Sequence, residues 1–133
     1  MGGPAVELRL LGLAVVIGLV QLVWATLAGA AQRDKKWLAG PRDETVPAYS
    51  GCAGRLDRAF KNYMETFPFF AAAVVTAYLA SKLGPLTLWG SGLYVAGRAL
   101  YAPLYASGVP VIRSLVWAVS TVGLVMVVVA IFL

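Results

Sequence analysis

The sequence predicts an all-α membrane protein, a bundle of four transmembrane helices, on three observations. Of its 133 residues 60% are hydrophobic and only 13% are charged, far too apolar a balance for a soluble domain of this size. The apolar residues gather into four runs of about 20, the length of helix that crosses a hydrocarbon core. Seven of the eleven basic residues fall between Arg33 and Lys61, beside four acids. Such a cluster marks a cytoplasmic loop under the positive-inside rule, so the net charge of +5 reads as a topology signal and not as a nucleic-acid footprint.

Composition also excludes chemistry. The chain has one cysteine, Cys52, and no histidine. An internal disulfide is impossible, a reducing compartment fits, and haem ligation, most zinc sites and any Ser-His or Cys-His dyad are removed. No metal is expected. Arginine, tyrosine, serine, glutamate or a bound cosubstrate must carry any reaction.

Span one covers 8–31, interrupted only by Arg9 at its edge and Gln21 inside. A signal peptide competes, because Ala28-Gly29-Ala30-Ala31 resembles a cleavage site, but the apolar stretch exceeds the usual 7 to 15 residues and its start lacks net positive charge. Gly18, Gln21, Ala25 and Ala28 share a face, a small-residue packing surface on which Gln21 reads as interhelical glue in preference to a ligand contact. Residues 32–61 form the cytoplasmic segment. Its first part, 32–54, holds Gly40, Pro41, Pro47, Gly51 and Gly54 among charges and reads as loop, with Arg33, Lys35 and Lys36 suited to anionic lipid.

The second helix starts near Arg55, projects from the membrane, and crosses as span two at 62–83. Arg55, Arg58, Asn62 and Glu65 recur at steps of 3, 4 and 3, which stacks a polar stripe roughly 15 Å long on one face. Pro68 frees the carbonyl of Met64 and should bend the helix beside Glu65. Two readings of Glu65 stand: a capping-type residue at the membrane surface, or an ionisable group held at depth for function, which the cost of such placement favours.

Gly84-Pro85 turns the chain into span three, 86–106. Tyr94, Arg98, Tyr101 and Tyr105 recur at steps of 4, 3 and 4 on one face, with Arg98 roughly 12 Å from the cytoplasmic end. An arginine at that depth needs a partner, either Glu65 in a helix-holding pair or an anionic ligand. The tyrosines compete with an interfacial belt, though a belt does not require helical register with an arginine. Pro103 bends this helix, and Gly90, Gly92, Ala96 and Gly97 permit close packing. After a turn at 107–110, span four occupies 111–133, with Arg113 and Ser114 at its cytoplasmic start; alone, Arg113 would be a routine anchor. Both termini then lie outside, with the first and third connections inside. Polar groups from three helices reach the same half of the bilayer, and cations outnumber the single acid. The expected guest is an anion.

The stretch Arg58-Ala59-Phe60-Lys61-Asn62-Tyr63-Met64-Glu65-Thr66-Phe67-Pro68-Phe69 resembles the second-helix signature of the membrane-associated proteins in eicosanoid and glutathione metabolism, the MAPEG family, in a bacterial-type form. Arg98-x-x-Tyr101-x-x-x-Tyr105 and Val109-Pro110-x-x-Arg113-Ser114 resemble its third- and fourth-helix motifs, so the likeness covers the whole chain. It implies a homotrimer in a bacterial inner membrane, with glutathione as cosubstrate held between neighbouring subunits near the cytoplasmic face. By position, Arg58 and Lys61 would meet glutathione carboxylates, Asn62 its backbone and Glu65 its amine. Arg98, Tyr101 and Tyr105 would line the pocket, and Arg113 with Ser114 would hold the sulfur as thiolate. Lys61 stands where the mammalian synthase branch has arginine, which turns a bidentate grip into a point charge; Tyr101 stands where that branch has histidine.

The function expected from residues and resemblance together is a glutathione-dependent transferase or peroxidase acting on lipophilic small molecules. Two alternatives remain. A small proton-coupled multidrug transporter would want its acid mid-span without flanking cations, unlike Glu65 with Arg58 and Lys61 nearby. A non-catalytic scaffold of the same fold would bind no glutathione.

Overall fold

The structure, a computed structural model, describes residues 5–133. Five helices follow in order: α1 (Val6–Ala30), α2 (Lys35–Ala39), α3 (Gly51–Leu79), α4 (Pro85–Ala106) and α5 (Pro110–Phe132). There is no strand among the described residues. By length and composition α1 and α5 are apolar enough to cross a membrane. The charged and hydroxylic residues along α3 and α4 set those two helices apart.

Burial explains how the helices assemble. The buried residues of α1 are Glu7, Ala14, Gln21 and Gly29, spaced by 7, 7 and 8, which is two helical turns each time and defines one narrow seam. The rest of its surface, including Leu13, Val16, Leu19, Val20, Val23 and Leu27, is exposed and apolar. The same holds on α5 for Val111, Ile112, Leu115, Val122 and Val125. Apolar exposure on this scale suits lipid and not water.

The core is where α1, α3, α4 and α5 meet, around Ala14, Phe70, Val74, Tyr94, Val95, Leu124 and Val127. The Phe70 and Tyr94 rings stack with centroids 4.0 Å apart. Tyr94 shares a hydrogen bond of 2.9 Å with Thr66, and the Tyr63 hydroxyl donates to the Ala14 carbonyl. The α4–α5 pair is the most extensive helix contact, and small residues permit it. A Cβ on Gly90 would lie 2.6 Å from the Gly123 carbonyl oxygen, and one on Gly97 would lie 2.7 Å from Ser120 Cβ.

Both α3 and α4 stop with the same device. Past Leu79, Ser81 takes φ 58°, its N–H returns to Tyr78 O at 3.1 Å, and the Lys82 N–H returns to Ala77 O at 2.8 Å. Past Ala106, Gly108 takes φ 77° while Gly108 and Val109 return to Tyr105 and Leu104 in the same pattern. These are paired C-terminal closures through a left-handed residue. The sequence places the end of the second long helix at 83; the backbone closes it at Leu79 because a serine fills a position usually given to glycine.

At the opposite end, Glu7 is buried, and Thr87 donates its hydroxyl to Glu7 Oε2 at 2.6 Å while accepting from the Gly84 N–H at 2.8 Å. One hydroxyl thereby ties the start of α1 to the start of α4. Thr87→Val removes that donor from a buried carboxylate and is expected to cost about 1–3 kcal/mol, read as a lower midpoint for thermal unfolding in detergent; Thr87→Ser should retain wild-type stability.

The 32–50 connection, expected to be plain loop, is folded. Asp34 caps α2 by accepting from the Lys36 N–H. The Gln32 amide pairs with the Ser50 backbone twice, at 2.9 and 3.0 Å. Arg33, expected at a lipid surface, instead donates to Pro47 O at 2.7 Å and lies over the Tyr49 ring, whereas Lys35 and Lys36 are exposed. Helix α3 then begins at Gly51, one turn before Arg55.

Candidate functional site

Four helical positions on α3 carry the polar stripe, and the structure sends them to different partners. Arg55 Nε donates to Ala106 O at 2.9 Å, placing a cation on the C-terminal carbonyls of α4, where the helix dipole is negative. Arg58 Nε donates to the Tyr105 hydroxyl at 3.1 Å. Asn62 Oδ1 accepts from Arg98 Nη1 at 2.9 Å. Glu65 is exposed.

Arg98 is the most buried cation, 1% exposed. Its guanidinium lies 4.4 Å from the Tyr101 ring centroid and 5.3 Å from that of Tyr63, so two aromatic faces take part of the charge. Of the two sequence readings, the Glu65 ion pair does not form: the partner is the neutral oxygen of Asn62, and the one ion pair among the described residues is Lys61 with Asp57 at 3.0 Å. The Glu65 charge is felt at Arg98 only over longer range.

Arg113 comes from the first turn of α5, with its guanidinium 4.4 Å from the Tyr105 ring centroid. It lines a pocket of about 130 Å3 with Asn62, Tyr101, Ser114 and Trp117. Pro110 at the helix start and the closure at Gly108 turn α5 sharply back, which brings Arg113 beside the last turn of α4. Ser114 bonds back to Pro110 O at 3.1 Å.

Seven of the nine residues singled out from sequence thus converge: Arg58, Asn62, Arg98, Tyr101, Tyr105, Arg113 and Ser114. Lys61 and Glu65 do not join them within one chain. Lys61 has its side chain 73% exposed, one helical step off the stripe. Trp117 was not anticipated, although its spacing of four from Arg113 and three from Ser114 places all three on one helix face. The arrangement offers guanidinium groups, an amide and phenol hydroxyls around a small recess, with Glu65 as the nearby acid on the outer face. Such a site favours anions. Among the described residues no cluster suited to a metal ion occurs.

Comparison with curated proteins gave no match, and comparison with solved structures gave none. The family model of the MAPEG family matches residues 10–133, a span that includes every residue of the recess and all four long helices. With its helical architecture and lipid-compatible surface, the chain belongs to the MAPEG family of membrane proteins, whose members use glutathione.

Proposed function

We propose that the protein is an integral membrane enzyme, a glutathione-dependent transferase or peroxidase for lipophilic electrophiles or lipid hydroperoxides. The observation that carries this reading is the shared pocket of Asn62, Tyr101, Arg113 and Ser114 in a chain of that family. At about 130 Å3 the recess is smaller than the roughly 300 Å3 of a small ligand site. It suits the thiol end of a tripeptide, with the remainder lying along the outer face of α3 that carries Arg58, Lys61 and Glu65.

The chemistry follows from charge. A free thiol ionises near 8.5, and a guanidinium beside it favours the thiolate. Arg113 supplies that charge, Ser114 lies beside it, and Asn62 and Tyr101 orient the peptide. Arg98 fixes Asn62, and Tyr105 holds Arg58 toward a carboxylate. In conjugation the thiolate sulfur forms a bond to carbon while the leaving group departs with its electron pair. In peroxide reduction the sulfur attacks the terminal oxygen, giving an alcohol and a sulfenic acid, which a second glutathione converts to disulfide and water. Neither route needs histidine.

The exposed flank of the recess fits closure by a neighbouring copy, so a homotrimer completes the proposal. All four long helices cross the membrane, both termini lie outside, and the recess faces the cytoplasm of a bacterial cell. Isothermal titration of the detergent-solubilised protein with glutathione tests the reading without requiring the second substrate. Saturable binding is expected, and Glu65→Gln should weaken it about tenfold by removing the partner of the glutamyl amine. A flat titration with wild-type protein overturns the enzyme in favour of a scaffold; a flat titration together with cation efflux that Glu65→Gln abolishes installs the carrier, a reading to which the exposure of Glu65 lends support.

A further inference from the structure

A second cavity lies away from the α5 side of Arg98. Between α1 and α4 a crevice of about 160 Å3 is lined by Val16, Val20, Gln21, Trp24, Arg98 and Pro103, among others. Its wall is apolar except for Gln21 and Arg98. Both are deeply buried, 5% and 1% exposed. Gln21 Nε2, Arg98 Nε and Arg98 Nη2 have no hydrogen-bond partner among the described residues. Three nitrogen donors from two helices, one of them part of a cation, are therefore unpartnered at the same place.

Buried donors are nearly always satisfied, and leaving one unmade costs about 1–3 kcal/mol, more for a charged group. No carboxylate lines this crevice, and Asn62 occupies only Nη1 of the guanidinium. What is absent is an acceptor carrying negative charge. Gln21 lies nine residues before the end of α1 and Arg98 eight before the end of α4, roughly 13 and 12 Å along their axes. A ligand here is reached through lipid and not through water, since Val16, Val20 and Trp24 are exposed on the outer surface of α1.

We propose that this crevice binds the carboxylate of a single-chain lipid anion, a free fatty acid. The two oxygens of a carboxylate match the fork of Arg98 and leave lone pairs for the Gln21 amide. At about 160 Å3 the crevice equals roughly five water volumes, room for a head group and a few methylenes. The rest of the chain runs over Val16, Val20 and Trp24 into the bilayer. The site is separate from the thiol pocket and does not depend on glutathione chemistry.

The test uses the full-length protein in non-ionic detergent with oleate, methyl oleate and acetate as probes. Oleate is expected to raise the thermal unfolding midpoint saturably, whereas methyl oleate, which lacks the charge, and acetate, which lacks the chain, leave it unchanged. Gln21→Leu should weaken the oleate response at least tenfold while glutathione titration stays as in wild type. Quenching by a brominated fatty acid gives a reading that needs no variant at the polar end: wild-type fluorescence should fall, and Trp24→Phe should abolish most of that fall. The proposal is overturned if oleate gives no shift, if methyl oleate or acetate matches it, if Gln21→Leu leaves its affinity intact, or if quenching persists in Trp24→Phe.

Discussion

Arg113→Ala is expected to lower the rate of glutathione conjugation by about 10²–10³, the scale on which single electrostatic contacts to a developing or stored negative charge act in enzyme sites. Arg113 stands in the pocket with Asn62, Tyr101 and Ser114, while the peptide-holding groups belong to α3 and α4. Its loss removes thiolate stabilisation and leaves most of the binding surface in place. Glutathione affinity measured by titration should therefore change less than about threefold. Arg113→Lys keeps the charge but loses the planar fork, and partial recovery of rate is expected. A conjugation rate equal to wild type in Arg113→Ala would take the residue out of the mechanism.

Gly123→Val should be the most damaging substitution for stability. Its added Cβ meets the Gly90 carbonyl, and stands 2.8 Å from the backbone nitrogen of Tyr94. Backbone cannot swing aside as a side chain does, so α4 and α5 must separate, at a cost of about 3 kcal/mol or more. Gly92 supplies the control on the same helix pair, since a Cβ there meets nothing within 4 Å. Gly92→Ala should be neutral or stabilising by up to about 1 kcal/mol through helix propensity. Denaturation in detergent checks both, and equal midpoints for the two variants would refute the packing argument.

Why some of this was legible in the sequence is plain from particular residues. Helical spacing placed Arg58, Asn62, Arg98, Tyr101 and Tyr105 on inward faces, because a period of 3.6 is a local property that survives whatever tertiary contacts form. Pairing is not local. Nothing in the spacing of α4 says that Arg98 will choose Asn62 over Glu65, since that depends on how far α3 rotates against α4, which Tyr63, Thr66 and Tyr94 fix through bonds to Ala14 and to one another. The ends of elements were similarly hidden: Ser81 closes α3 in a left-handed conformation that glycine usually advertises, and Gln32 with Ser50 folds a segment whose prolines and glycines suggested plain loop. Glu7 passed unnoticed because a single acid at a helix start reads as an ordinary terminal residue until Thr87 is seen against it.

The double amide pairing of Gln32 with Ser50 makes the cytoplasmic excursion a closed circuit. Whatever lies between those two residues is anchored at one short neck, so its size has no leverage on the distance between α1 and α3. Lengthening, shortening or exchanging the chain between Lys36 and Glu44 leaves the bundle geometry as it is, and evolution or an engineer can rewrite that segment as an address or a handle without disturbing the recess.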